Sequence, residues 1–165
     1  MSWILSGPGG AAVVRGLDAE TLANESIQLS LLADSSDTHG ALSSLRVGMR
    51  DGADGARPHR HDNSSEMFYV LGGEVQLLAG EETLLAADGD LVVVPPGLPH
   101  AFAAPPGSDG ELLIVITPGV ERFEYFRHLG RIAAGAESPE SLLAVQERYD
   151  TYFLDSAAWQ TARKQ

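Results

Sequence analysis

The sequence predicts an all-β domain with helices at its C-terminal end. Five short apolar runs follow one another within residues 58–117, namely EMFYVL, EVQLLA, ETLLAA, DLVVVP and ELLIVIT. Each run is bounded by glycine, proline or aspartate, and short strands separated by such turn residues are typical of a β-barrel or β-sandwich. After Pro118 the apolar period lengthens from two residues toward about 3.6, which favours helices.

Two regions before these runs also have the pattern of strands. Residues 27–32 and 42–49 alternate apolar and polar side chains, which predicts two earlier strands. A chain of 165 residues is one domain of ordinary size. We therefore expect one domain in three parts: an N-terminal arm with strands (1–41), a barrel (42–117) and a helical tail (118–165).

The tail pattern predicts two helices. The first covers residues 120–129, with an apolar stripe that includes Phe123 and Phe126 and with His128 on the opposite, solvated face. The second begins with Ser138 as its N-cap and Pro139 at the first helical position, and it ends near residue 150. Its apolar side chains are expected to be buried: Leu142, Val145 and Tyr149.

Composition excludes several classes of function. The formal net charge of −12 repels phosphate backbones, so no nucleic-acid partner is expected. The chain has no cysteine, which excludes thiolate metal sites and disulfides. The first residues lack a basic leader, and no apolar run reaches the length of a membrane span. The expected location is the cytoplasm, with no membrane partner.

Histidines are the strongest sign of chemistry in the sequence. His59 and His61 stand one residue apart, so on an extended strand their imidazoles point to the same side. Glu66 follows five positions later, and His100 resumes the chain after a turn that contains Pro95. Converging imidazoles indicate a metal site, although spacing alone leaves the direction of His100 open.

These residues resemble the two motifs of the cupin family over about residues 42–117. The resemblance implies an antiparallel jelly-roll β-barrel of six strands per sheet, with His59, His61, Glu66 and His100 as ligands of one metal ion. Two positions depart from the motifs: Ala53 replaces an opening glycine and Ala104 a closing asparagine. The residues that match are His59, His61, Glu66 and Gly73 in the first motif, and Gly89, Pro95, Gly97 and His100 in the second.

The predicted donor set limits the metal and assigns a role to Glu66. Three imidazoles and one carboxylate, without thiolate, suit a divalent Ni, Co, Mn, Fe or Zn ion, and the sequence does not choose among them. Glu66 is the catalytic candidate, because a carboxylate beside the ion with a pKa tuned by burial can take a substrate proton. A site whose ligands are present but unused is the alternative.

Other side chains around the histidines have predicted places. Phe68, Val70 and Phe102 share strand parity with the ligands, so we expect them to wall a substrate pocket, unless they are plain barrel core. Arg57 and Arg60 flank His59, and either could bind an anionic substrate. Alternation turns Arg60 away from the pocket and favours a salt bridge there.

The segments TPGVERFEYFRHLG and VQERYDTYFLDSAAW are similar to the tail of single-domain quercetin 2,3-dioxygenase-like cupins. The resemblance implies a helical tail over the barrel mouth and a dioxygenase. In that reaction Glu66 would take the 3-hydroxyl proton of a flavonol, dioxygen would open the heterocycle, and carbon monoxide would leave. A polyketide cyclase or isomerase and a non-catalytic binding protein are the alternatives.

The expected partners are a small aromatic substrate, dioxygen and a second copy of the chain. The homodimer is predicted to form through the sheet that carries the early strands. Trp3, Ile4 and the strand over residues 27–32 otherwise have little to cover them.

Overall fold

A computed structural model describes residues 5–164, and within them the fold is mainly antiparallel sheet. Apolar and β-branched residues in period two form most of the strands. A small separate hairpin joins the first two of these strands. The strands are β1 (Leu5–Ser6), β2 (Ala12–Val13), β3 (Glu20–Ala23), β4 (Ile27–Ala33), β5 (Ser43–Met49), β6 (Asp54–Arg60), β7 (Ser65–Ala79), β8 (Glu82–Ala87), β9 (Leu91–Val94), β10 (His100–Ala103), β11 (Gly110–Thr117) and β12 (Tyr152–Phe153).

In the described residues, ten strands form one sheet that curls into the predicted jelly-roll barrel. One wall contains β9, β7, β11, β5, β4 and β3. The other contains β12, β6, β10, β7 and β8. The prediction of an all-β jelly roll is therefore confirmed. Six strands per sheet were expected, whereas the two walls contain six and five strands, with β7 counted in both.

Strand β7 makes the curl possible, and here the prediction was wrong in detail. The runs EMFYVL and EVQLLA were expected to be two strands, whereas they form one strand of 15 residues. Its first half pairs with β11 and β9, and its second half pairs with β10 and β8. Gly72 and Gly73 lie where the pairing changes, so the glycine pair that indicates a turn instead marks a bend.

A substitution at each of these two adjacent glycines tests the bend. Gly73 has a φ of 67°, and a Cβ there would lie 2.1 Å from the carbonyl oxygen of Asp109. A Cβ at Gly72 meets nothing within 4 Å. We expect Gly73→Ala to lower the free energy of unfolding by more than about 2 kcal/mol, and Gly72→Ala to change it by less than about 0.5 kcal/mol. Urea unfolding of both variants measures this, and equal effects would contradict the assignment of the bend.

Apolar side chains from both walls fill the barrel. The main cluster includes Phe68, Val70 and Leu112, which are completely buried, and it continues to Phe102. Alternation along β7 and β11 sends these side chains inward, while their neighbours Tyr69 and Leu113 lie on the outer surface of the sheet. The apolar core therefore lies directly beneath the mouth of the barrel.

The tail contains the first of the two predicted helices, shifted to slightly later residues, but departs from the second. Its helices are α1 (Phe123–Ala133), α2 (Glu140–Leu143) and α3 (Ala157–Ala162), and the strand β12 lies between the last two. The second helix is a single turn rather than a helix to residue 150, although Leu142 and Tyr149 are buried as predicted and Val145 is half-buried. Its N-cap is Pro139 and not Ser138, so the predicted start was wrong by one residue. Residues 144–150 form turns instead of the expected helix, and β12, which pairs with β6, follows them.

The prediction for His128 was wrong. This side chain is buried at 6% exposure, with Nε2 at 2.7 Å from Ser141 Oγ and 2.8 Å from a carboxylate oxygen of Glu137. The segment after α1 folds back over the helix face that the pattern marked as polar. A polar face can be buried when it meets polar partners, which helical periodicity alone does not reveal.

The early strand does not support the predicted dimer surface. Leu31 is completely buried, and Ile27 and Leu29 pack against the main core cluster, so β4 is covered within the chain. Trp3 and Ile4, which were the other part of the argument, lie outside the described residues. None of the helices in residues 5–164 combines the length and apolar character needed to cross a membrane.

Candidate metal centre

Two neighbouring strands place His59 and His100 side by side. The two residues are register partners on β6 and β10, so their side chains leave the sheet on the same face. The turn before β10 sets this register. Pro95 and Leu98 close it by a 3.3 Å backbone hydrogen bond, Gly97 has a φ of 82°, and the Gly97 amide donates to the carbonyl of His61 at 2.7 Å.

All four predicted ligands meet at one point. One ligand atom from each of His59, His61, Glu66 and His100 lies within 4.8 Å of the others, and all four residues are buried. Glu66 Oε2 is 2.8 Å from His61 Nε2, 2.6 Å from His100 Nε2 and 4.0 Å from His59 Nε2. The structure thus answers the question that spacing left open, because His100 turns toward the histidine pair.

Backbone carbonyls orient the three imidazoles. His59 Nδ1 lies 2.8 Å from the carbonyl of Arg57, and His100 Nδ1 lies 2.9 Å from that of Leu98. His61 Nδ1 lies 2.6 Å from the carbonyl of Asp150. A carbonyl only accepts, so each Nδ1 is the donor and each Nε2 faces the centre of the cluster. This is the orientation in which an imidazole presents its Nε2 lone pair to a metal ion.

Electrostatics within the cluster favour an ionised Glu66. Burial by itself would raise the pKa of Glu66, but the charges of His61 and His100 and their hydrogen bonds hold it well below its usual range. Burial and the two neighbouring imidazoles lower the pKa of His59. For His100, burial opposes protonation, yet the Glu66 carboxylate raises its pKa. Burial is therefore the largest single influence on the pKa of Glu66, as expected, but the two imidazoles together outweigh it.

The donor set fits a divalent metal ion. Ligand atoms bound at 2.0–2.2 Å to one ion lie about 3.0–4.4 Å apart. The most distant donors would therefore move slightly closer together, and Glu66 Oε2 and His100 Nε2, now 2.6 Å apart, would move slightly apart. The carbonyl partners of Nδ1 are the outer contacts that metal-binding histidines normally have. Three nitrogen atoms and one carboxylate oxygen can hold Ni, Co, Mn, Fe or Zn, and they leave further positions for ions that prefer five or six ligands.

A cavity of about 370 Å³ opens over this cluster. His59, His61, Glu66 and Phe102 contribute to its wall. Phe68 and Val70 do not, because they are completely buried in the core, where the Phe68 ring lies 6.0 Å from that of His100 and 5.6 Å from that of Phe102. Of the three predicted pocket residues, only Phe102 therefore reaches the cavity, and the other two support the site from below.

Residues of the tail contribute to the cavity wall and contact the cluster, in agreement with the expected position of the tail over the barrel mouth. Asp150 provides the carbonyl that orients His61, and its carboxylate accepts hydrogen bonds from the backbone amides of Asp62 and Asn63. Strand β12 pairs with the strand of His59. The remaining apolar wall is shared between barrel strands and the tail, and the tail contributes Tyr125, Phe126, Leu129, Ile132, Leu142 and Phe153.

Arg122 is the residue near the site that the sequence analysis missed. Its guanidinium is buried beside the cluster, with Nη2 at 3.1 Å from His61 Nδ1, and the residue lines the cavity. A signal existed in the sequence, because arginine interrupts the apolar pattern just before α1, but a surface position explained it equally well. Of the two predicted arginines, Arg57 lines the cavity, and Arg60 pairs with Asp62 at 2.8 Å outside it.

The comparisons with known proteins agree with this geometry. Residues 45–116 match the family described as Cupin domain. An uncharacterized protein of Streptomyces coelicolor is 32% identical over 102 residues, which are 62% of this chain and 90% of that protein. Residues 45–116 of the chain are thus a cupin domain. The matched region contains all four candidate ligands, whereas Arg122 and Asp150 lie beyond it.

Solved cupin structures share the barrel of this cupin. An RmlC-like cupin from Shewanella frigidimarina has a TM-score of 0.56 at 21% identity, covering 67% of this chain and 92% of that one. The polyketide cyclase RemF from Streptomyces resistomycificus has a TM-score of 0.54 at 21% identity, covering 64% and 78%. At this identity the likeness shows the fold alone. The reaction must be argued from the site.

Proposed function

We propose that this cupin is a metal-dependent dioxygenase that acts on a flavonol or a related aromatic enol. The observation that carries the proposal is the position of the cluster of three histidines and one glutamate, at the inner wall of a cavity that is otherwise mostly apolar. A cavity of about 370 Å³ falls in the range of small-molecule sites. Aromatic side chains such as Phe102, Phe126 and Phe153 offer faces on which a planar substrate can stack.

Each residue of the site has a defined task in this proposal. His59, His61, His100 and Glu66 would hold one divalent ion, which acts as a Lewis acid toward a hydroxyl group of the substrate. Glu66 is ionised at neutral pH, and its Oε1 makes no hydrogen bond with any described residue, so this oxygen can accept the hydroxyl proton. The apolar wall excludes water from the ionised substrate.

Metal analysis followed by a turnover screen tests the function. Elemental analysis of the purified protein identifies the bound ion, and each of the five candidate ions is then restored to stripped protein. We expect at least one metal form to consume dioxygen and release carbon monoxide when a flavonol is added. A protein loaded with each ion in turn that consumes no dioxygen with flavonols or simpler aromatic enols would refute the dioxygenase proposal.

The same screen separates the two rival functions. A polyketide cyclase or isomerase would convert an aromatic or polyketide enol without dioxygen, at the same rate under nitrogen as in air. A binding protein would hold the compound without turning it over. Product analysis beside the oxygen electrode distinguishes these outcomes.

We further propose a homodimer, now through a different surface from the early strands. Leu91 and Val93 on β9 are exposed, and they pair with Tyr69 and Met67 of β7, so the outer face of this wall carries a contiguous apolar patch. Light scattering is expected to give twice the 17.5 kDa of one chain at micromolar concentration. The double variant Leu91→Lys and Val93→Lys is expected to be monomeric, whereas a monomeric unmodified protein would refute the dimer.

A further inference from the structure

Two arginines in the cavity wall stand apart from the other arginines of the protein. Arg57 and Arg122 line the cavity over the metal cluster, and neither forms an ion pair with a described carboxylate. Most arginines elsewhere are compensated by neighbouring acidic side chains, and the two that are not, Arg15 and Arg50, are exposed and do not line this cavity. The arginines with such partners are Arg46, Arg60, Arg127, Arg131, Arg148 and Arg163.

Arg122 is a buried cation whose hydrogen-bonding capacity is largely unused. The residue is 2% exposed, and its Nη1 donates to Thr151 Oγ1 at 2.7 Å. Its Nη2 faces His61 Nδ1 at 3.1 Å, but the hydrogen on that nitrogen is directed at the carbonyl of Asp150, so no lone pair is left there to accept. Its Nε is buried without any hydrogen-bond partner in the described chain. Such a group is costly unless something completes it.

The acidic residues near Arg122 are committed to other donors. The carboxylate of Asp34 accepts from the backbone amides of Ser35, Arg122 and Phe123. The carboxylate of Asp150 accepts from the backbone amides of Asp62 and Asn63 and from the Asn63 side chain. Both carboxylates therefore organise the local backbone, and neither lies in contact with the guanidinium.

Arg57 and Tyr125 extend the polar strip across the cavity. Arg57 is exposed at the mouth, with its Cζ 3.8 Å from the centre of the Phe153 ring. Tyr125 is buried, and its ring lies 5.2 Å from the Cζ of Arg122. Burial raises the pKa of Tyr125 to about 12, so its phenol is neutral and can donate a hydrogen bond. The cavity thus offers two cations and one neutral donor beside an apolar wall.

We infer that the substrate is an aromatic carboxylic acid whose carboxylate pairs with Arg122 in the depth of the cavity and is guided there by Arg57. This inference rests on the proposed function, because it assigns a substrate class to the same site. The planar fork of a guanidinium matches the two oxygens of a carboxylate, and Nε with one Nη is a common pair of donors to them. The aromatic part of the substrate lies against Phe102 and Phe126, and its enolic or phenolic hydroxyl faces Glu66.

A pair of probes that differ in charge tests the inference without turnover. Calorimetry under nitrogen compares 2-naphthoate with 2-naphthamide on the metal-loaded full-length protein. We expect the acid to bind at least about tenfold more tightly than the amide, since charge-assisted hydrogen bonds are the stronger kind. In Arg122→Gln this ratio is expected to approach one, with the affinity for the amide unchanged. Arg60→Gln, on the same strand as Arg57 but paired with Asp62, is the matched control and keeps the full ratio.

Further measurements distinguish a carboxylate held by Arg122 from one held by the metal ion. If the carboxylate binds only to the ion, Arg122→Gln would still bind 2-naphthoate more tightly than 2-naphthamide, and that result would overturn the inference. An unmodified protein that binds both probes equally, or neither, would overturn it as well. In Arg122→Gln, a purely structural role of Arg122 would lower the melting temperature without changing the ratio of the two affinities, which would overturn the inference as well.

If Arg122→Gln loses metal or does not fold, Arg57→Gln at the exposed mouth is tested instead, and an unchanged ratio there would refute the inference. Failure of dioxygen uptake alone would refute the dioxygenase and leave the acid preference intact.

Discussion

Replacing His61 by alanine is expected to abolish metal binding. The imidazole of His61 is one of four donors, its Nε2 lies 2.8 Å from Glu66 Oε2, and its Nδ1 is held by the carbonyl of Asp150. The variant keeps three donors but loses the one that links the barrel to the tail. We expect the metal content to fall from about one equivalent to less than about 0.1, because loss of a ligand removes more affinity than the 10- to 100-fold lost with an outer contact.

His39→Ala is the matched control for this experiment. His39 is exposed at the end of a short turn and does not belong to the cluster of candidate ligands. Its removal should therefore leave the metal content unchanged. Mass spectrometry of elements in the purified proteins gives both numbers, with circular dichroism to show that the fold is retained. A His61→Ala protein with a full equivalent of ion would show that the ligand assignment is wrong.

Replacing Glu66 by glutamine is expected to lower turnover by at least about 10²-fold while part of the metal remains. The amide has nearly the shape of the carboxylate and can still ligate weakly through its oxygen, but it cannot accept the proton of a substrate hydroxyl. Removal of a general base typically costs 10²- to 10⁴-fold in rate. No other carboxylate belongs to the cluster of described metal-binding groups, so no neighbour replaces it.

Metal occupancy must be measured beside the rate, because loss of the ion and loss of the base both reduce turnover. Rates are therefore expressed per bound ion, and the dissociation constant of the substrate is determined separately. Glu82→Gln, an exposed change on β8, serves as the control for removal of one acidic charge. A metal-loaded Glu66→Gln protein with near-normal turnover would remove Glu66 from the mechanism and leave it a structural ligand.

Local patterns were sufficient to predict the barrel and the histidine pair, and the match to the cupin motifs added Glu66 and His100. Period two in an extended chain predicts that the imidazoles of His59 and His61 point to one side. The structure brings their ring centres to 4.9 Å, with His61 directly after the end of β6. The Pro95 turn predicts a return of the chain, and the register of β10 against β6 places His100 beside His59. Strand alternation and turn residues act over a few positions, so the sequence displays them directly.

The same local patterns failed where a contact depends on packing. The glycine pair at 72 and 73 indicated a turn, yet β7 continues through it because both of its halves find partner strands. Helical periodicity placed His128 in solvent, and the folded tail buries it against Ser141. Parity alone placed Phe68 and Val70 in the pocket, although parity gives the direction of a side chain and not its depth.

By itself the sequence determined the fold class and the exclusion of thiolate chemistry, which follow from short-range period and residue type, and the four candidate ligands, which follow from the match to the cupin motifs. Only the tertiary structure decided what surrounds those ligands. Asp150 orients His61 from 89 positions away, and Arg122 reaches the same imidazole across 61 positions. Such contacts arise when the tail packs over the barrel mouth, and no periodicity in the sequence specifies which side chains then meet. The candidate ligands of this cupin can therefore be predicted from its sequence motifs, whereas the charge and shape of its cavity depend on how the tail closes over them.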